Sequence, residues 1–234
     1  MKKALVILFT SFLFGCATKQ ATLTPEAVYK EAAEAFKNKD YQSSIESFKK
    51  VKELFPEHPL SQLSQLEIGE VHFTAEEYDE AALAYDEFIR LYSGNINVPY
   101  ARFKEALCYY HQISQPDRDQ SATRKAIEKF ERIIKDYPDT PYAVKSYEYL
   151  KFCRKRLAEQ ELFVANFYLK SEKYNAAEKR FLYVLKFFYD VEVQKDALLG
   201  LYNLYKVTGQ ITKAEDIKHT LEFFFPYIVV DKKI

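Results

Sequence analysis

Cys16 is the side chain whose neighbours most plainly set it up for chemistry. Lys2 and Lys3 open the chain, Ala4 to Phe14 carries no charge, and Leu13-Phe14-Gly15-Cys16 closes the stretch. This is the layout of an export leader ending in a lipobox, where the cysteine thiol is alkylated by diacylglycerol and the leader is cut just ahead of it. A helix of that apolar length reaches roughly 16 Å, about half of a hydrocarbon core, which is too short for a permanent span. Each buried methylene contributes about 0.8 kcal/mol, so one acyl chain holds weakly and two or three hold firmly. Cys16 is the expected lipidation site, with 1–15 as signal peptide and 16–24 as an acylated polar tether.

Beyond Cys16 the residue types do not assemble into catalytic chemistry. A phosphate-cradling loop needs clustered glycines, but Gly69, Gly94, Gly200 and Gly209 are scattered. No nucleophile-elbow pattern occurs. His58, His72, His111 and His219 lack metal-ligand spacing to Cys, Asp or one another. Acid pairs such as Glu76-Glu77 read as solvated helix faces in a chain with 29% charged residues. The expectation is no enzyme, no metal and no cofactor. Asp117-Arg118-Asp119 has two readings. Its carboxylates suit the start of a helix beginning near Gln120, where the helix dipole favours negative charge, and they also suit ion pairs with a partner protein.

Lys plus Arg and Asp plus Glu both number 34. Loss of Lys2 and Lys3 with the leader makes the mature chain slightly acidic, so no electrostatic feature invites nucleic acid. Cys108 and Cys153 remain after processing. An oxidising compartment permits a bridge, but cysteines within helices are usually small buried apolar groups, and both readings stand.

The elements that hold these side chains are set by a repeat. From a small residue, one looks four, seven and twelve positions on. Ser44 leads to Phe48, Val51 and Pro56; Ala81 to Tyr85, Phe88 and Ser93; Ala126 to Phe130, Ile133 and Pro138; Ala177 to Phe181, Val184 and Tyr189; Ala214 to Lys218, Leu221 and Pro226. Offsets of four and seven share one helix face, the small residue lets helices approach, and proline stops the helix. Tyr41, Tyr78 and Tyr174 stand three residues before an origin, where they can plug the corner between two helices. The pattern resembles the tetratricopeptide repeat, whose first helix needs a small residue where Ala32, Gly69, Ala106 and Ala165 fall. Origins are 37, 45, 51 and 37 residues apart. The eight extra residues of the third repeat fit an Ile113–Ser121 loop, and the fourteen extra of the fourth add about four helical turns. No Gly or Pro interrupts 142–170, so one helix of about thirty residues is expected near 141–171. The fold class is all-α: a right-handed solenoid of about five helix pairs, ten helices over 25–226, with a concave groove. An apolar, then basic tail follows at 227–234. Most of the 38 Phe and Tyr residues are expected to fill the space within and between repeats.

Two stretches resemble the BamD family, lipoproteins of the outer-membrane β-barrel assembly machinery. One runs from Asp117-Arg118-Asp119-Gln120 through Thr123-Arg124, Phe130 and Tyr137-Pro138 to Pro141-Tyr142-Ala143. The other runs from Arg156-Leu157-Ala158-Glu159 through Glu161, Val164-Ala165, Phe167-Tyr168-Leu169-Lys170, Tyr174 and Ala176-Ala177 to Arg180. Weaker similarity extends from about Val28 to Pro226. The Asp-Arg-Asp insertion beside a long fourth-repeat helix separates this pattern from general tetratricopeptide lipoproteins.

The resemblance implies a non-enzymatic subunit at the periplasmic face of the cell outer membrane, held by its lipid anchor. Ala17 is compatible with sorting there, by similarity to enterobacterial lipoproteins. The implied partners are the POTRA domain of the assembly pore protein nearest its barrel, the accessory lipoproteins of the complex and unfolded outer-membrane β-barrel proteins. Arg180 matches the family arginine that contacts the pore protein. Phe55 stands where some members place a groove tyrosine, without its hydroxyl. Tyr189-Asp190 departs from the family's Tyr-Pro, and the tail beyond Pro226 has no clear counterpart. The alternative is a tetratricopeptide envelope adaptor coordinating cell division or cell-wall synthesis, although the amino-terminal coiled coil such adaptors often carry is not visible.

Overall fold

A computed structural model describes residues 23–227. Cys16, the leader, most of the tether and the tail beyond Tyr227 lie outside the described residues. Ten helices occur among those described, in five antiparallel pairs: α1 (Pro25–Lys37) with α2 (Tyr41–Leu54), α3 (Pro59–Thr74) with α4 (Tyr78–Leu91), α5 (Val98–His111) with α6 (Ser121–Asp136), α7 (Pro141–Lys170) with α8 (Tyr174–Phe187), and α9 (Gln194–Val207) with α10 (Ile211–Phe224). Each helix packs on the next in sequence. First helices also touch across repeats, α1 with α3, α5 with α7 and α7 with α9, whereas second helices make no comparable contact. The array therefore bends with its first helices on the inner side.

Local chemistry starts and stops these helices. Pro25, Pro59, Pro99 and Pro141 sit in the first turns of α1, α3, α5 and α7, where a missing N–H costs no helix bond. Thr24 and Thr140 accept from the N–H of Ala27 and Ala143, capping α1 and α7. Four of the five intra-pair turns repeat one device. Lys39, Glu76, Glu172 and Gly209 adopt φ near +60 to +70°, and the N–H after each bonds back five residues, to Ala35, His72, Tyr168 and Tyr205. This is a Schellman stop, and it explains why a polar turn precedes Tyr41, Tyr78 and Tyr174. Those tyrosines are half-buried against the cores, with Tyr41 6.2 Å from Phe36 and Tyr78 5.6 Å from Phe73. The third pair has the insertion loop in place of this turn.

The repeat residues form the core. The five origins and the residues seven positions on are all buried, as are Phe48, Tyr85, Phe130 and Phe181. Lys218, at the same place in the last repeat, is only half-buried. Ser44 Oγ donates to the Ala32 carbonyl at 2.9 Å, joining α2 to α1. Gly69 lies under the Tyr85 ring and Gly200 under the Phe181 ring, close enough that an added Cβ would stand 2.7 and 2.3 Å from ring carbons. Gly200 extends the series of small residues in first helices to the fifth repeat. The interior is four hydrophobic clusters along the array rather than one core, as expected where each repeat buries its face against its neighbours.

Cys108 and Cys153 are free and buried. Burial pushes both thiols up to about 12, so they act as apolar filling and not as nucleophiles. The uninterrupted helix is α7, thirty residues long. Its first half packs beside α5 and α6, its second half beside α8 and α9. No helix among the described residues is long and apolar enough to cross a membrane.

Candidate protein-interaction site

Arg180 lies on α8 with its side chain about half exposed, and its Nη1 donates to Glu161 Oε2 of α7 at 2.7 Å. Glu161 is largely buried, at 17% side-chain exposure. The carboxylate therefore orients the guanidinium, whose planar fork is of the kind that can hold a carboxylate with two bonds. Both residues belong to the second matched stretch, but their pairing across nineteen positions has no signature in sequence.

The insertion loop, residues 112–120, is organised by Gln120, which is fully buried. Its Nε2 donates to the carbonyls of Gln115 (2.7 Å) and Arg118 (3.2 Å), and its Oε1 accepts from Thr123 Oγ1 at 2.7 Å. Asp119 Oδ2 accepts from the Ser121 N–H at 2.8 Å. Hydrogen bonding from Ser121 holds its carboxyl below the ordinary value, with Arg124 contributing. One acid of the motif thus caps α6, while Asp117 and Arg118 stay exposed, 4.0 Å from each other. Replacing Gln120 with leucine removes all three bonds and leaves the buried Thr123 hydroxyl without its acceptor, while the Gln115 carbonyl keeps the Arg118 N–H. Since an unsatisfied buried group costs about 1–3 kcal/mol, hydrogen exchange across 112–123 should rise at least tenfold. Unchanged exchange would show that the loop holds without Gln120.

Phe55 is the C-cap of α2 and half-buried, beside a shallow pocket of about 430 Å³ formed with Leu54, Pro56, Glu57, His58 and Pro59. It is one of five equivalents. Phe55, Tyr92, Tyr137, Phe188 and Phe225 each end a second helix with φ between −124 and −136° and donate their N–H four residues back. An aromatic residue eleven positions after every origin is a sequence signal that the offsets of four, seven and twelve pass over. No hydrogen bond or ion pair joins Arg180, the 117–119 motif and Phe55 among the described residues, so these are three separate places on the array.

Asp190, where proline was expected, has a clear role. Arg154 of α7 donates through Nε to its Oδ2 (2.6 Å) and through Nη2 to its Oδ1 (2.7 Å), and Nη2 also reaches the Phe187 carbonyl (2.7 Å). The long helix thereby clamps the end of α8. Hydrogen bonding from Arg154 holds the Asp190 carboxyl below its usual range. A lowered folded-state value contributes stability above the unfolded pKa, near 3.9, and loses it as pH falls through the folded value. Asp190→Asn should therefore cost about 1 kcal/mol at pH 7, discounted for partial exposure, and distinctly less near pH 2. Thermal melts at the two pH values test this; an equal shift at both would exclude the clamp.

On the inner side a polar seam links first helices. Tyr29 donates to Glu67 (3.3 Å), Tyr100 and, from the second helix α4, Tyr85 both donate to Glu70 (2.7 Å each), and Lys104 pairs with Glu70 at 3.0 Å. Burial, then the nearby Glu70, raises the Glu67 carboxyl above its usual value. No three His, Cys, Asp or Glu side chains converge as a metal site among the described residues.

The array resembles the TPR2AB domain of yeast Sti1, solved with pHSP90, with a TM-score of 0.51 at 12% identity over 88% of this chain and 79% of that one. This likeness concerns the fold alone. In sequence, the chain is 31% identical to the outer membrane protein assembly factor BamD of Rickettsia prowazekii, over 92% of this chain and 87% of that protein. It is 29% identical to the same-named protein of Caulobacter vibrioides, over 94% and 74%, and 27% identical to that of Neisseria meningitidis serogroup B, over 97% and 92%. A family model described as YfiO, outer membrane lipoprotein, matches residues 21–221. With that match running from before α1 into α10, the chain belongs to the YfiO family of outer membrane lipoproteins.

Proposed function

We propose that this protein is a non-enzymatic subunit of the machinery that assembles β-barrel proteins into the outer membrane. The observation that carries this reading is family membership over 21–221, joined to relatives, aligned over about three-quarters or more of their own length, named outer membrane protein assembly factor BamD. Three things are proposed beyond that. An acyl anchor on Cys16 holds the array against the periplasmic face of the membrane. Arg180 and the exposed Asp117 and Arg118 contact partners, the pore protein through its POTRA domain and the accessory lipoproteins. Unfolded barrel substrates are received at the amino-terminal repeats near Phe55.

The mechanism is surface presentation. A bent stack of helix pairs offers long faces on rigid elements, and tethering to the bilayer raises its effective concentration toward a membrane-embedded partner without any added contact. The oriented Arg180 and the apolar pocket at Phe55 support two separate binding roles, since they occupy different repeats.

Affinity capture from solubilised membranes tests the reading. A POTRA-bearing barrel protein should be recovered, and depletion of this chain should lower outer-membrane barrel proteins while leaving other lipoproteins in place. Recovery of division or wall-synthesis proteins alone would transfer the chain to the envelope-adaptor class.

A further inference from the structure

Four second helices are followed by a helix that packs on them: α3 on α2, α5 on α4, α7 on α6 and α9 on α8. The residue four positions after the origin faces that follower. The Phe130 ring of α6 stacks on Tyr149 of α7, with 5.4 Å between centres, and the Phe181 ring of α8 covers Gly200 of α9. In α10 the same place holds Lys218, and no helix follows it among the described residues. Ile211, Lys218 and Phe225 stand at steps of seven and so share one helix face. Ile211 is 61% exposed and Phe225 is half-buried. The chain is turned back toward this face. Pro226 and Tyr227 form a turn after α10, as Pro56-Glu57 and Pro138-Asp139 do after α2 and α6, and those turns lead into α3 and α7. Next comes Ile228-Val229-Val230-Asp231-Lys232-Lys233-Ile234, in which Asp231 is the one acid.

We propose that residues 228–234 run back along α10 as an extended strap, covering the face that a following first helix covers in the other repeats. The register follows from spacing. Seven helical residues rise about 10.5 Å. Three residues of polyproline-type chain rise about 9.3 Å, and positions i and i+3 project the same way. After the reversal at Pro226-Tyr227, Ile228, Asp231 and Ile234 therefore meet Phe225, Lys218 and Ile211 in turn. The two ends of the strap make apolar contacts and its middle makes an ion pair. The mismatch accumulates to about 2.4 Å over the two steps, which a lysine side chain takes up. A fully pleated strand would not serve, because Ile228 and Asp231 would then point to opposite faces. Terminal repeats need a polar outer surface, and Lys232 and Lys233 supply it. The strap also explains Lys218: a charged group stands where the other repeats place an aromatic ring because its occupant carries an acid. This inference is independent of the assignments to Arg180 and Phe55.

The test is crosslinking in the detergent-solubilised full chain. A Lys218→Cys, Asp231→Cys double variant treated with a short bismaleimide should link within one chain at least tenfold faster than an Asp216→Cys, Asp231→Cys variant, whose α10 position is exposed on another side of the helix. Peptide mass spectrometry identifies the linked pair. Equal rates in the two variants would overturn the proposal, and so would links formed only between chains, which would give the face to a second copy. Hydrogen exchange supplies a readout without cysteines. Ile228→Asp with Ile234→Asp should raise exchange across 211–224 at least threefold while helical circular dichroism is kept, and unchanged exchange in that folded variant would also overturn the strap.

Discussion

Gly200→Ala should lower the unfolding free energy of the two carboxy-terminal repeats by about 2 kcal/mol. The added Cβ would stand 2.3 Å from the Cε1 and Cζ carbons of Phe181, a side chain with no exposed surface. Overpacking of this kind costs roughly 3 kcal/mol, at the upper end of the usual range, and about 1 kcal/mol returns because alanine is the better helix former. Each repeat is stabilised chiefly by its neighbours, so the loss should show first as protease cleavage within 174–224. Pulse proteolysis measures it. Adding Phe181→Leu to the alanine variant should recover part of the loss, because the two residues share one space and their effects do not add. Independent, additive effects would mean that Gly200 is not set by the Phe181 ring. Gly69→Ala, whose Cβ would stand 2.7 Å from the Tyr85 ring, should act in the same direction and less strongly.

Arg180→Glu should reduce capture of the POTRA-bearing protein at least tenfold, about 1.4 kcal/mol, without lowering helical content. Two effects act together. The donor fork offered to the partner is lost, and the new carboxylate faces Glu161, which the arginine neutralised at 2.7 Å. Truncating one member of a hydrogen-bonded charge pair at an interface commonly costs more than this, so tenfold is a lower bound. Glu161→Gln should give a smaller loss, since the arginine keeps its charge but loses the partner that orients it. Undiminished capture by the charge-reversed chain would remove Arg180 from the interface while leaving the family assignment intact.

Much of the architecture was legible before any coordinates, because it is written in local and periodic terms. Offsets of four and seven identify a helix face wherever they occur, proline marks helix starts and stops, and the absence of Gly or Pro over 142–170 was enough to expect α7. The same kind of local signal placed an extra loop in the third repeat, although the fourth-repeat Asp190 stood out only as a departure. The aromatic C-caps were equally available in the letters, eleven residues past each origin, but they lie beyond the helix face that the shorter offsets describe.

The sequence by itself determined the number of helices, their order, the long α7 and the residues that face the core, since each of these depends on neighbours within a turn or two. Tertiary structure alone decided the polar arrangements. Glu161 meets Arg180 across nineteen positions and Arg154 meets Asp190 across thirty-six, with no periodicity to announce either pair. The groove between α4 and α6 exists only because α5 holds those helices apart. A helix propagates its pattern along the chain, whereas a salt bridge or a groove depends on how separate segments pack, and that spacing is set by the stacking of whole repeats.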